Sequence, residues 1–345
     1  MFVRRLRVSL RGWGGVGAMA VGCALALAFV LLLPLTQSRD EGGEEGSGGQ
    51  GGVTNGSQVR ADDCKDSQAQ NETLSPSGAD GATIDAIKAR KGDARKLIVG
   101  VDQNSYRWGY RNPNNSVADL EGFDIDLVHR IAKDILGDAK DVTFKAIPTS
   151  QRIPAVQHGD VDMVVRTMTI TCKRLDDVAF SAPYFKTGQQ VLAPKSSSIK
   201  GYDATLANKT VCTADGSTAY DAVTADKGTR LPSSVRIKVV PNQLDCLVRL
   251  QLGEVDAVIT DGALAASQAA QDPTVELKGP PFTTEYYGVA MNSKADDLVR
   301  RVNQILVDYR ADGWQASYSK WLSATLGTKS TGSEPPTPQQ YLRTS

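Results

Sequence analysis

Two rhythms of apolar and polar residues alternate along residues 96–323. Short β-branched runs break abruptly into polar residues. Between them lie stretches whose apolar positions return every three or four residues. "KLIVGVDQ" (96–103) is the first run. In "GFDIDLVHRIAKDIL", which follows it, Val128, Ile131, Ala132 and Ile135 fall at i, i+3, i+4 and i+7, one face of a helix. The order repeats at "NKTVCTADGST" (208–218), a strand that breaks into a loop and leads to a helix from about Ser217. A second pair of segments also matches: "RIPAVQHGDVDMVVRT" (152–167) and "CLVRLQLGEVDAVITD" (246–261). Each reads as a helix end, a Gly turn and a V-D-x-V strand. The frame aligns Gly159 with Gly253, Asp162 with Asp256, and Thr167 with Asp261. The pattern predicts two similar α/β units.

In open α/β sheets, ligands bind beyond the carboxyl ends of the strands. The predicted strands end in conspicuously polar residues: Asp102, the segment Arg166 to Arg174, Thr213 to Thr218, and Thr260 with Asp261. Two units facing each other would bring these tips to one cleft. Arg174 offers a planar fork suited to a carboxylate; its alternative is a surface pair with Asp176 or Asp177. Thr169 adds a hydroxyl and an N–H. "DGST" (215–218) feeds a helix N-terminus, where free N–H groups attract anions. Asp261 suits an ammonium group, or else caps a helix beginning near Ala263. Carboxylate and ammonium sites together describe an α-amino acid. Arg166, at the edge of a V-V strand, needs a partner: a ligand's distal carboxylate, or Asp102 or Asp261 within the protein.

Composition narrows the class. Lys plus Arg and Asp plus Glu both number 39 in 345 residues. That balance argues against a nucleic-acid partner. Two histidines, far apart, exclude a multi-His metal site, and no cofactor is expected. The N-terminus carries Arg4, Arg5, Arg7 and Arg11 ahead of an uncharged run from Val16 to Leu35. About 20 apolar residues span a bilayer, and the arginines place their side in the cytoplasm. The expectation is a membrane anchor in residues 1–38. A cleaved signal ending near "TQS" (36–38) and lipidation at Cys23 in "AVGC" are the alternatives, and all three export the remainder. Residues 39–63, rich in Gly, Ser and acids, read as a flexible tether. In an exported chain, Cys64, Cys172, Cys212 and Cys246 are disulfide candidates with three possible pairings.

The strings "LIVGVD", "GFDIDL" (122–127), "MTITCKRLDDVAFSAPY" (168–184), "GST" (216–218), "GEVDAVITD" (253–261) and "YYGVAMNSKADDLVRRVNQIL…DGWQASYSKWL" (286–322) occur in this order. Together they resemble the family 3 extracellular solute-binding proteins, the polar amino acid receptors of ABC importers. "VVRTMTITCKR" and "VCTADGST" resemble the actinobacterial glutamate-binding and glutamine-binding-protein homologue subset. The resemblance implies an α/β, two-lobed, type II periplasmic-binding-protein-like fold with the ligand cleft between lobes. Lobe 1 would comprise 96–187 and 286–325, and lobe 2 192–282. An N-terminal extension (64–95) and a disordered tail (326–345) would flank them.

Residue by residue, the family's α-carboxylate arginine falls on Arg174 and its threonine on Thr169. Its ammonium-binding aspartate falls on Asp261, and its Gly-Ser-Thr loop on Gly216, Ser217 and Thr218. The acid after its first strand falls on Asp102. Arg166 and Thr167 join this candidate set. Two departures stand out. Lys173 replaces the usual Glu. "NSYRWGY" replaces an aromatic stretch, so either Tyr106 or Trp108 would cover the ligand, with Tyr106 the candidate. The narrower subset implies the Cys212/Cys246 pair. The expected neighbouring strands agree with it, and Cys64–Cys172 then remains. The expected function is an anchored extracellular receptor for an acidic or amide L-amino acid. Glutamate or aspartate is favoured, with an ABC permease or a membrane sensor as partner. An enzyme on the same fold, a dehydratase or lyase, is the alternative.

Overall fold

A computed structural model describes residues 64–114, 119–330, 332–337 and 340–344. The apolar run and the tether fall within 1–63, outside the described residues. No helix among the described residues is long and apolar enough to cross a membrane.

The first α-helix among the described residues is α1 (Ala82–Lys88), whose N-cap position is Gly81 and has no side chain to offer. Asp297 supplies the cap instead, accepting the Thr83 and Ile84 N–H groups at 2.8 and 3.0 Å. Next come β1 (Leu97–Val101), the small antiparallel sheet β2 (Asn104–Ser105), β3 (Gly109–Arg111) and β4 (Leu120–Glu121), and then α2 (Phe123–Leu136). The predicted face of α2, Val128, Ile131, Ala132 and Ile135, is buried. Gly122, at φ 134°, starts this helix: a Cβ there would sit 2.3 Å from the Trp108 carbonyl. Then follow β5 (Val142–Ala146), α3 (Arg152–Gln157), β6 (Met163–Val164), α4 (Cys172–Leu175) and β7 (Ala179–Phe180).

The chain crosses along β8 (Phe185–Thr187) into β9 (Gln189–Pro194), β10 (Thr210–Ala214), α5 (Thr218–Asp226), β11 (Arg236–Val240), α6 (Gln243–Gln251), β12 (Ala257–Asp261), α7 (Gly262–Gln271) and β13 (Val275–Lys278). It returns along β14 (Glu285–Tyr287), antiparallel to β8, and ends with β15 (Ala290–Met291), α8 (Asp296–Asp312), α9 (Trp314–Trp321) and α10 (Ser323–Leu326).

The two five-stranded sheets have the orders β5-β1-β6-β15-β7 and β11-β10-β12-β9-β13. In each, the first three strands run parallel and the last two pairings are antiparallel. The sequence repeat is therefore a structural one. Its aspartates do the same work in both halves. Asp162 accepts the Ile98 N–H at 2.8 Å and Asp256 the Thr210 N–H at 2.7 Å, each tying its own strand to the start of the neighbouring parallel one. Gly159 and Gly253 take φ 73° and 70°, a left-handed turn that side chains resist.

The first sheet is covered by α2, α8 and an aromatic cluster of Trp108, Phe123, Phe185, Tyr287 and Trp314, with ring centroids 4.8 to 6.3 Å apart. Phe185 and Tyr287 lie on the two crossing strands, so the crossing is backed by packed rings. The second sheet has its own cores around Val211, Val223, Ile259 and around Leu192, Leu247, Val258.

The structure joins Cys212 to Cys246 and Cys64 to Cys172, with Cα separations of 5.5 and 5.8 Å. The first braces β10 against α6 and closes a sequence separation of 34. Loop-closure entropy for that length makes the bond worth about 3–4 kcal/mol. Urea unfolding of the Cys212→Ser/Cys246→Ser variant is expected to show a loss of that order, and a loss under about 1 kcal/mol would mean that the bond restrains nothing.

Against the expectation of a disordered tail, its described residues carry specific contacts. Leu342 and Arg343 donate backbone N–H groups to the Asn71 and Thr73 carbonyls, and Arg343 pairs with Asp296 at 2.7 Å. Arg310 donates to the Pro336 carbonyl at 2.9 Å, and Tyr341 packs on the core. Its composition lacks any apolar period, and its described residues take partners from residues 71–73 and from α8.

Candidate functional site

The carboxyl ends of β1, β6, β10 and β12 face a common cleft, and the residues after each strand build it. Arg174 sits on α4, whose first turn is capped by the Thr171 hydroxyl accepting the Arg174 N–H. Arg174 is 7% exposed and pairs with neither Asp176 nor Asp177, so it is not the surface charge of the alternative reading. Nη1 donates to the Thr169 carbonyl at 2.6 Å and Nη2 to the Gly216 carbonyl at 3.0 Å. Arg152, at the start of α3, converges on the same place. Its Nη2 donates to the Gly216 carbonyl at 3.2 Å, its Nε to the Thr149 carbonyl at 2.9 Å, and its Nη1 to the Arg166 carbonyl at 3.4 Å. All these acceptors are neutral carbonyls. Among the described residues, no ion pair within 4.0 Å includes Arg152 or Arg174. Burial lowers the pKa of both, and for Arg152 the neighbouring Arg174 and Arg166 charges lower it further. The Glu285 and Asp261 carboxylates act on Arg174, and Asp261 on Arg152, in the opposite direction but only from beyond ion-pair distance, so the two adjacent buried cations form a candidate anion site.

Gly216 brings the second lobe to these cations. It takes φ 69°, and a Cβ on it would lie 2.9 Å from the Ser150 Cα. Ser217 caps α5: its Oγ accepts the Tyr220 N–H at 3.1 Å and donates to the Ala214 carbonyl at 2.6 Å. It therefore shapes the loop. Thr218 and Thr169, from different lobes, both donate hydroxyls to Glu285 Oε2, at 3.0 and 2.6 Å. Asp261 occupies the N-cap position of α7 but makes no capping bond. Its carboxylate accepts the Tyr287 hydroxyl at 2.5 Å instead. Burial pushes the Asp261 carboxyl well up, and Glu285 adds to the rise. Asp261 and Glu285 thus form a buried acidic pair beside the two unpaired arginines.

Three other candidates stand differently from the expectation. Asp102 and Arg166 pair with each other at 2.9 Å. The Asp102 carboxylate also accepts the Gln103 and Asn104 N–H groups and the Ser105 hydroxyl, at 2.8 to 2.9 Å. Three hydrogen bonds and one ion pair, all from within lobe 1, engage this carboxylate. Tyr106 packs edge-on against Tyr110 at 5.1 Å and lines a narrow crevice with Leu244, Leu264 and Gln271, beside α6 and α7. Trp108 is fully buried, and its Nε1 reaches Ser267 of the second lobe at 3.2 Å.

Thr167 holds a left-handed backbone, φ 41°, costly for a β-branched residue. Its N–H is fixed by Asp124 at 3.1 Å and by the Tyr184 hydroxyl at 3.2 Å. This turn aims Arg166 and Thr169 into the cleft. Burial pushes Asp124 up to about 7.

Arg152 and Glu285 join the candidate cluster in the structure and are not among the sequence candidates. Arg152 opens the first segment of the repeat, yet its counterpart, Cys246, carries no charge. Glu285 follows two threonines in a crossing segment, where an acid reads as solvated.

Two α/β lobes joined by paired crossing strands, with a buried cation and acid cluster between them, define a two-lobed binding protein of the periplasmic amino-acid receptor type. The chain belongs to the bacterial extracellular solute-binding proteins, family 3, whose model matches residues 97–324. It is 35% identical over 241 residues to the ABC transporter glutamine-binding protein GlnH of Bacillus subtilis, covering 70% of this chain and 84% of that one. It is 29% identical to the glutamate-binding protein GluB of Corynebacterium efficiens, covering 68% and 80%. Among solved structures, the L-cysteine solute receptor of Neisseria gonorrhoeae superimposes with a TM-score of 0.63 at 28% identity, covering 72% of this chain and 96% of that one.

Proposed function

We propose that the protein is an extracellular receptor that binds an acidic L-amino acid, glutamate or aspartate, in the cleft and closes its lobes around it. The observation that carries this reading is the pair of buried guanidiniums, Arg152 and Arg174, which converge on one carbonyl with no carboxylate partner. One takes the α-carboxylate. The other takes the side-chain carboxylate, in place of Arg166, which Asp102 already engages. Asp261, with Glu285 beside it, receives the ammonium. Thr169, Thr218 and the loop at Gly216 and Ser217 line the same place, and Thr167 sets the backbone turn. Binding and closure are all this role requires, so the reading is a receptor and not an enzyme. Its partner is an ABC permease or a membrane-bound sensor, and residues 1–38 provide the attachment to the membrane.

A thermal-shift screen of the twenty L-amino acids on residues 63–345 tests the ligand class. Glutamate and aspartate are expected to raise Tm most; no shift with any amino acid would reject the reading. A second expectation follows from Asp261. Its pKa is raised, so it holds its proton more tightly than an ordinary carboxyl, and an arriving ammonium favours the ionised form. Binding should release a proton, and affinity should rise with pH through the window between the ordinary carboxylate range and the raised value. Calorimetric heats in two buffers of different ionisation enthalpy check this, since equal heats would mean that Asp261 is already ionised.

A further inference from the structure

We propose that Arg166 is a positioning residue, a clasp that holds the two lobes together at the edge farthest from the crossing strands, and that it does not touch the ligand. The inference rests on the receptor reading. Arg166 is fully buried. Its Nη2 meets Asp102 at 2.9 Å and, across the cleft, Asn242 Oδ1 at 3.1 Å. Its Nη1 donates to the Thr149 hydroxyl at 2.9 Å. Thr149 itself bridges the lobes twice: its hydroxyl donates to Gln243 Oε1 at 3.1 Å and its N–H to the Pro241 carbonyl at 3.2 Å. Gln243 is held in turn, because its carbonyl accepts Gln268 Nε2 at 2.9 Å.

Only Nε of Arg166 is left without a partner. Nη2 faces both Asp102 and Asn242, and a parallel two-N–H grip on a carboxylate draws on Nη2 together with Nη1 or Nε, so no such fork is open to a ligand. Place in the fold supports the same conclusion. Thr149 follows β5 and Pro241 follows β11, the corresponding edge strands of the two sheets. The crossings leave from the opposite sides, next to β7 and β9. Contacts at the far edge resist opening with the longest lever. Asp102 serves as the counter-ion that aims Arg166 across the gap. The unpaired cations, Arg152 and Arg174, are left for the ligand.

The test uses Arg166→Met, Thr149→Val and Thr149→Ser. Dissociation of glutamate and of glutamine is followed by tryptophan fluorescence, and small-angle scattering is recorded without ligand. A charged hydrogen bond carries roughly 1.5–3 kcal/mol, so Arg166→Met should speed dissociation of both amino acids about 10- to 100-fold, by the same factor, with association rates unchanged. Thr149→Val should act the same way to a smaller degree, and Thr149→Ser should restore the wild-type rate. A selective collapse of glutamate affinity in Arg166→Met would place Arg166 on the ligand and overturn the clasp. So would unchanged dissociation together with an unchanged radius of gyration. If the wild-type chain binds neither amino acid, the receptor reading fails. The scattering of the Met and Val variants then decides the clasp by itself: a larger radius of gyration than wild type supports it and an equal one overturns it.

Discussion

An Arg174→Ala variant is expected to lose amino-acid binding while keeping its fold. Truncating one partner of a buried, hydrogen-bonded charge contact costs roughly 2–5 kcal/mol, about 30-fold to several thousand-fold in affinity. The fold should survive because Arg174 bonds only two neutral carbonyls, those of Thr169 and Gly216. Removing a buried cation that lacks a carboxylate also removes its desolvation cost. Titration calorimetry and a melting curve on the same sample check both halves. Retained affinity would sink the assignment of the α-carboxylate to Arg174, and a collapsed melting temperature would make the residue structural.

Arg152→Gln separates acidic from amide ligands. If Arg152 holds the side-chain carboxylate, glutamate should lose roughly 30-fold or more in affinity, and glutamine, with no charge there, should lose much less. The neutral amide keeps some of the bonds that Arg152 makes to the Thr149 and Gly216 carbonyls, and it relieves the repulsion that Arg174 and Arg166 exert on this position. Equal losses for both ligands would mean that Arg152 supports the cleft without reading the side chain.

The framework was legible because its signals are periodic or local. The V-D-x-V repeat recurs in one frame along the chain, and its aspartates hold equivalent strand starts in the two sheets. The glycines at 159, 216 and 253 mark left-handed turns that other residues avoid. The site was only partly legible, since sequence does not report which charges are buried together. Arg152 and Glu285 gain their importance from neighbours 64 residues or more away, Gly216 for the first and Thr169 and Thr218 for the second. For Arg166 the sequence leaves a ligand carboxylate, Asp102 and Asp261 open as partners, and the pairing with Asp102 depends on the register of β1 against β6. Ordering of the tail likewise depends on backbone groups of residues 71–73 that no local pattern announces.

Titration calorimetry of the chain with L-glutamate, L-aspartate, L-glutamine and L-arginine, side by side, bears on the central claim most directly. Two unpaired guanidiniums beside an acidic pair predict that one or both acidic amino acids bind tightest, glutamine more weakly and arginine least. Glutamine or arginine binding more tightly than both glutamate and aspartate would contradict the account.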